Sequence, residues 1–248
     1  MSQGTPVVEI KNMNLRIAER TLVSTLDLVL KPGSVMTLTG QSGVGKSTLL
    51  RSLATGNLNG NSTADSFSVA YGKRDLIYVP QSTGLFPWFS LLKNMQIIGQ
   101  RFLEPVSKSQ IFDIFDKMNL SDIIEKLPEQ ISGGQYRRAA LLPVFFSSRP
   151  FVIIDEPLTG VDLPNKVNFL TQLVDHLVST GGTGIIVSHD TEVLLSCGDR
   201  LSLLTESGLT EIAQITPEER SAHLRGNPTD GESSPHLRSL LSNLLPFK

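Results

Sequence analysis

The 248-residue sequence predicts an α/β fold: a parallel or mixed sheet with helices on its faces, an inserted helical lobe and an N-terminal antiparallel β portion. Three observations carry that prediction. From Ser34 to Val187, short apolar runs of strand character alternate with segments of helical period, the pattern of a parallel sheet. The stretch of about 89–131 interrupts the alternation with helical spacing of its own. The first forty residues alternate with period two.

The elements follow in order. Leu22, Leu26, Leu28 and Leu30 share one parity, and Lys31-Pro32-Gly33 makes a turn. Ser34–Thr39 reads as a strand that runs into Gly40. Lys46–Ala54 is helical, with Leu49, Leu50 and Leu53 on one face. Residues 55–66, rich in Gly, Asn and Ser, form a loop. Short strands are expected at Phe67–Tyr71 and Leu76–Val79. In the lobe, Ile111, Ile114, Phe115 and Met118 have helical spacing, as do Ile123, Ile124 and Leu127. A helix then starts near Gly134, Phe151–Ile154 and Gly184–Val187 are buried strands, and Leu163–Ser179 is the helix between them. Thr216–Ser233 loses periodicity and reads as a linker, so the organisation is a main domain over 1–215 and an appended segment over 216–248.

Composition bounds the function. With 40% hydrophobic and 19% charged residues the chain has the make-up of a globular protein. A net charge of -2 gives no sign of a nucleic-acid partner, since such domains usually carry a clear basic excess, and leaves room for a local basic patch; no nucleic acid is expected as a partner. The single cysteine, Cys197, has no chemical motif around it and reads as a small buried apolar residue. No signal peptide is expected at the N-terminus, and no apolar run is long enough to span a bilayer.

Gly40-Gln41-Ser42-Gly43-Val44-Gly45-Lys46-Ser47, followed by Thr48, satisfies G-x-x-x-x-G-K-[ST] between a strand and a helix. Glycines let successive backbone N–H groups point inward at phosphate oxygens, and the helix adds the positive end of its dipole. Lys46 is placed to reach the β and γ phosphates, and the Ser47 hydroxyl to bind Mg²⁺. The run resembles the phosphate loop of P-loop NTPases, which implies a RecA-like core.

About 110 residues later, the strand Phe151–Ile154 ends in Asp155-Glu156. Carboxylates at the C-terminal edge of such a sheet lie where ligands sit. Asp155 suits Mg²⁺, directly or through water; Glu156 suits orienting or deprotonating the attacking water.

Ile131-Ser132-Gly133-Gly134-Gln135, some twenty residues before that pair, resembles the LSGGQ signature of ABC ATPases, with Ile for the usual Leu. It offers a hydroxyl and glycine N–H groups at a helix N-terminus, a second anion site. The resemblance covers about Val7 to Ile212. It implies that Ser132, Gly133, Gly134 and Gln135 contact ATP bound by a second copy, in a head-to-tail dimer with two-fold symmetry. By the same resemblance Gln81 is the Q-loop glutamine that touches Mg²⁺ and water, Asp162 belongs to the D-loop, and His189 is the switch histidine that contacts the γ-phosphate. The resemblance further implies ATP and Mg²⁺ as ligands, transmembrane permease subunits as partners, room for a substrate-binding protein, and a peripheral position on the cytoplasmic side of the inner membrane.

The apolar run Gly84-Leu-Phe-Pro-Trp88-Phe89 resembles the post-Q-loop segment of importer ATPases, which implies a groove for a short permease helix. Leu127-Pro-Glu-Gln130 is importer-like too. Parts of the N-terminal half resemble ATPases for nitrate, sulfonate or thiamine uptake, too diffusely to name a substrate. A non-transport ABC ATPase acting in translation, repair or regulation is the alternative, although such proteins usually carry two cassettes or long insertions. A stand-alone phosphotransferase would leave Ser132–Gln135 without a role.

Two departures stand out. The family offers an aromatic ring to adenine one strand before the phosphate loop, where this chain has Ile17 with Arg16 beside it; either base stacking is weaker or a guanidinium substitutes for the ring. Pro143 falls inside the helix after the signature, where a proline costs about 3 kcal/mol, so a kink or a shortened helix is expected. Finally, leucines at 237, 240, 241, 244 and 245 mark one face of a helix over 235–245, capped by Ser234 and ended by Pro246. It is expected to fold back on its own domain, with partner docking or the membrane surface as the alternatives.

Overall fold

Period-two alternation does become strand in the computed structural model, which describes residues 5–71, 75–81, 84–101, 105–146, 150–156 and 158–224. β1 (Val8–Ile17) and β2 (Arg20–Leu30) pair antiparallel and bury Ile10, Met13, Leu15, Val23, Leu26 and Leu30 on one side. β3 (Val35–Gly40) is buried along its whole length, which is why it reads as an apolar run and not as an alternation. α1 (Lys46–Thr55) buries Leu49, Leu50 and Leu53 and ends at Gly56. β4 (Ser66–Val69) joins the far side of β1, giving a three-stranded sheet in the order β2-β1-β4.

β5 (Leu76–Val79) leads towards the expected helical lobe, which contains α2 (Leu91–Gly99) and α3 (Lys108–Lys117). Ser90 caps α2, and Ser107 with Gln110 makes a capping box for α3. The helical spacing of Ile123, Ile124 and Leu127 does not become an α-helix. That stretch forms one 3₁₀ turn at Ser121–Ile123 and another at Pro128–Gln130. The reason is competition for acceptors: the carbonyls of Ile124 and Lys126 are taken by the Leu92 and Leu91 N–H groups at the start of α2.

α4 (Gly133–Leu141) stops short of Pro143 as expected, and a 3₁₀ turn over Leu142–Phe146 follows. Then come β6 (Phe151–Asp155), α5 (Leu163–Thr180), β7 (Thr183–Val187), α6 (Thr191–Ser196), β8 (Arg200–Thr205), β9 (Gly208–Gln214) and α7 (Pro217–Leu224). The sequence pattern predicts no element at α6, β8 or β9. The expected linker Thr216–Ser233 opens instead as a helix. The start signal is local: Thr216 accepts the Glu219 N–H, and Glu219 accepts the Thr216 N–H, with Pro217 in the first turn. The amphipathic segment 235–245 lies outside the described residues. Among the described residues no helix is long and apolar enough to cross a membrane.

The main sheet has the order β5-β6-β7-β3-β8-β9, parallel except for the β8–β9 hairpin. Alternate residues of its strands feed two cores. Phe151, Ile153, Ile185 and Val187 face α1 and the antiparallel sheet, while Val152, Ile154 and Ile186 face α5 and the helical lobe. The lobe's Leu91, Met95, Ile111 and Phe115 belong to that second core. Full burial of one such side chain is worth roughly 1.5–3 kcal/mol, so lobe and sheet are joined by apolar packing along a whole face. Cys197 is fully buried, and burial pushes its thiol up to about 12, consistent with a packing role.

Candidate functional site

The order β6-β7-β3 places three parallel strands side by side, and their C-terminal ends share one edge. β3 delivers Gly40, β6 delivers Asp155 and Glu156, and β7 delivers Ser188 and His189. A cleft of about 570 Å³ opens there, lined by Ser42, Gly43, Gly45, Lys46, Ser47 and Thr48 from the loop and by Gln81, Asp155, Glu156 and His189.

Two glycines make the loop possible. Gly45 has φ 114°, and a Cβ on it would stand 3.0 Å from Leu15 Cδ2; a Cβ on Gly40 would meet the Leu204 carbonyl oxygen at 2.5 Å. Gly40, Gln41 and Val44 support the loop from behind. Lys46 Nζ donates to the Gly40 and Gln41 carbonyls at 2.7 and 3.0 Å, and Val44 N–H donates to the Gln41 carbonyl. Lys46 is only 7% exposed. Burial lowers its pKa from the usual lysine value, and the charges of Glu156 and Asp155 work against that shift.

Ser47 Oγ donates to Asp155 Oδ2 at 2.8 Å, so two oxygen donors from distant parts of the chain adjoin. Among the described residues no group of three or more His, Cys, Asp or Glu could hold a metal by itself. A hydroxyl, one carboxylate and substrate phosphates are the donor set that suits Mg²⁺, which keeps few protein ligands. Glu156 sits between two side chains: Gln81 Nε2 donates to its Oε2 at 2.7 Å, and His189 Nε2 lies 2.9 Å from its Oε1. Its backbone is turned to φ 49°, a costly conformation for a non-glycine residue, and its N–H donates to the Val187 carbonyl.

The remaining candidates stand elsewhere. Ser132 and Gln135 cap α4 reciprocally: Ser132 Oγ accepts the Gln135 N–H at 3.2 Å, and Gln135 Oε1 accepts the Ser132 N–H at 3.0 Å. Asp162 caps α5, and hydrogen bonds from the Asn165 side chain and backbone hold its carboxyl below the usual range. None of Ser132, Gly133, Gly134, Gln135 and Asp162 lines the Lys46 cleft. Gly134 lies beside Val161, the residue before Asp162: a Cβ on Gly134 would touch Val161 Cγ2 at 3.5 Å.

The wall of the cleft also includes Ile17, Arg20 and Leu22. Ile17 is 52% exposed there, but the expected neighbour Arg16 is absent from the wall. Arg16 donates from its guanidinium to the Glu19 carbonyl at 3.0 Å. The guanidinium in the wall is that of Arg20, a residue that the order of the sequence does not place beside Ile17. The signal was the two-residue turn Ala18-Glu19, with Ala18 at φ 47°, which pairs Ile17 with Arg20 across the hairpin.

The aromatic run after Gln81 faces outward. Trp88 is 66% exposed and Phe86 40%, with their ring centroids 5.9 Å apart. Buried Asn94 turns them out: it accepts the Phe86 N–H and donates to the Phe86 and Phe89 carbonyls. Leu85 N–H donates to Tyr136 Oη, which ties the run to α4. An apolar cleft of about 420 Å³ beside it is lined by Leu85, Phe86, Ile97, Ile98, Ala140 and Pro143. The 3₁₀ turn after α4 thus places Pro143 in the wall of this cleft.

Comparison with known proteins gives a consistent likeness. A family model described as ABC transporter matches residues 23–159. The chain is 30% identical over 219 residues to the aliphatic sulfonates import ATP-binding protein SsuB of Burkholderia thailandensis, covering 88% of this chain and 63% of that one. It is 27% identical over 215 residues to the Fe(3+) ions import ATP-binding protein FbpC of Fusobacterium nucleatum, covering 84% of this chain and 58% of that one. The chain therefore spans about six-tenths of the length of these relatives. Among solved structures, a dimeric ATP-binding cassette in a post-hydrolysis state bound to ADP and Pi aligns with a TM-score of 0.69 at 21% identity, over 84% of this chain and 100% of that one.

Proposed function

The chain belongs to the ABC transporter family, and from that premise we propose that it binds and hydrolyses MgATP as the ATP-hydrolysing subunit of an importer whose permease is a separate membrane protein. The observation that carries the proposal is the Glu156 carboxylate, held between Gln81 and His189 in the cleft that also holds Lys46 and the Ser47–Asp155 pair.

In this reading the phosphates lie along Gly40 to Thr48, with Lys46 on the β and γ groups. Ser47, Asp155 and Gln81 would hold Mg²⁺, which neutralises charge on the β and γ oxygens when bound. Glu156 orients the attacking water and accepts its proton as the γ-phosphoryl group passes to that water. Lys46 and His189 stabilise the charge on the transferring group. Ser132–Gln135 and Asp162 complete the site of a second, identical copy; their distance from the chain's own cleft supports this, as does the dimeric state of the solved cassette. The ATP-binding unit spans 1–215, and 216–248 is an appended segment.

The outward-facing Trp88 and Phe86, beside an apolar cleft, suit a permease helix. They would hold the subunit on the cytoplasmic face of the inner membrane. A substrate-binding protein would complete the importer; no nucleic acid takes part. The two relatives are named for sulfonates and for Fe(3+), so they point to uptake without singling out a cargo.

The test is phosphate release from MgATP together with isolation of the tagged chain from solubilised membranes. A multi-span protein should co-purify, and Trp88→Ala should lower its recovery by about tenfold, on the order of a 1.4 kcal/mol contact. Recovery of ribosomal or other soluble partners alone would reverse the transport reading.

The cleft wall makes a further prediction. With Ile17 and Arg20 in place of a ring, base stacking is weak and the phosphates dominate affinity. ATP and GTP should then compete for the site within about threefold of each other, and Ile17→Tyr should tighten ATP by about tenfold, the scale of one base–aromatic stack. Displacement of a fluorescent nucleotide measures both; an unchanged ATP affinity in Ile17→Tyr would remove the base from the Ile17 wall of the cleft.

A further inference from the structure

Lys166 lies in the first turn of α5 and is only 8% exposed, although it lines no part of the cleft that holds Lys46. A lysine is rarely buried without a partner, because removing the ammonium from water is costly. Its partner is Asp190, whose carboxylate accepts from Nζ. The pair is lopsided: the Lys166 side chain is 10% exposed and that of Asp190 45%. An apolar side chain at 166 would avoid that cost and leave Asp190 in water. Stability alone therefore does not explain a lysine there.

The position of Asp190 explains more. It follows His189, whose Nε2 lies 2.9 Å from Glu156 Oε1. The two flanks of His189 are anchored to different bodies. Ser188 N–H donates to the Leu38 carbonyl at the sheet edge, and Asp190 N–H donates to Ser188 Oγ. Beyond His189, the Asp190 carboxylate is tied across to α5 by Lys166. The Lys166 N–H in turn donates to the carbonyl of Asp162, the cap of α5, at 3.0 Å. One residue thus joins the Asp162 turn through its backbone and the His189 loop through its side chain.

We propose that the Lys166–Asp190 ion pair positions His189 against Glu156 and makes the histidine loop follow the Asp162 end of α5. Lys166 is a positioning residue: it touches no reacting atom and acts through His189. The consequence for turnover rests on the hydrolytic reading of Glu156 and His189, but the placement of the imidazole does not.

The experiment has two arms. Lys166→Met keeps an unbranched stem in the buried site and leaves Asp190 hydrated; Lys166→Arg keeps the cation. In the first arm, the imidazole nitrogens of His189 are followed by NMR without nucleotide. Lys166→Met should shift or broaden them and Lys166→Arg should leave them near their wild-type positions; His189 signals unchanged in Lys166→Met overturn the proposal. The second arm is phosphate release from MgATP. Lys166→Met should lower kcat about tenfold with KM within about twofold of wild type, and Lys166→Arg should recover most of the rate. Combined with His189→Ala, Lys166→Met should cost nothing more, because both changes act on one group. An additive loss in that double variant, or kcat unchanged in Lys166→Met, also overturns it. If the wild type releases no phosphate, the hydrolytic reading fails while the first arm still decides the clamp.

Discussion

Glu156→Gln should abolish nearly all hydrolysis and leave a dimer that persists in ATP. The amide keeps the size of the side chain and can still meet Gln81 and His189, which lie 2.7 and 2.9 Å from the two carboxylate oxygens. What it loses is the ability to take a proton from the attacking water. General-base catalysis contributes about 10²- to 10⁴-fold, so phosphate release should fall by at least about a hundredfold. The change also removes a negative charge from the place where the γ-phosphate must approach, so nucleotide affinity should hold or rise. Gel filtration with MgATP should then show a species of twice the monomer size that decays only slowly. A variant that hydrolyses at the wild-type rate would take the base role from Glu156. A variant that is silent but monomeric in ATP would leave the chemistry intact and dismiss the two-copy site of Ser132–Gln135 and Asp162.

Lys46→Ala should separate binding from folding. Lys46 Nζ is the buried cation of the cleft, held by the Gly40 and Gln41 carbonyls and flanked by Asp155 and Glu156. A hydrogen bond to a charged group contributes about 1.5–3 kcal/mol. Losing contact with two phosphate oxygens therefore corresponds to an affinity loss of about a hundredfold. The readout is titration of a fluorescent ATP analogue, with a thermal melt to establish that the variant is folded. Nucleotide binding at wild-type strength in a folded Lys46→Ala protein would displace the phosphates from Gly40–Thr48. The two variants fail differently by design, since Glu156→Gln binds without turning over and Lys46→Ala does not bind.

Much of the fold was legible because it is written locally. The phosphate loop, the acidic end of β6 and the Ser132 cap are contiguous runs whose backbone geometry follows from their own residues. Pro143 ended α4 for the reason a proline always does. Apart from α7, whose start signal is local, the misses share one cause: a partner distant in the chain or across a turn. Ile123, Ile124 and Leu127 have helical spacing, but α2 takes the carbonyls that a helix there would have used. Arg16 is next to Ile17 in sequence but does not line the cleft; Arg20 does, because it is next to Ile17 across a hairpin. β8 and β9 mix leucines with polar residues and end in no motif, and they become strands by pairing with β3 and with each other.

The sequence by itself determined the chemistry available to this protein: a glycine loop with a lysine and a hydroxyl, two adjacent acids at a strand end, and a serine-glycine run at a helix start. Only the tertiary structure decided which of these act together. β6, β7 and β3 are adjacent in the sheet in an order that is not their order in the chain, so Asp155, Glu156, His189 and Lys46 share one cleft. The caps of α4 and α5 lie outside that cleft. Strand order is settled by which apolar faces can be buried against one another, a property of the whole chain and not of any short run within it.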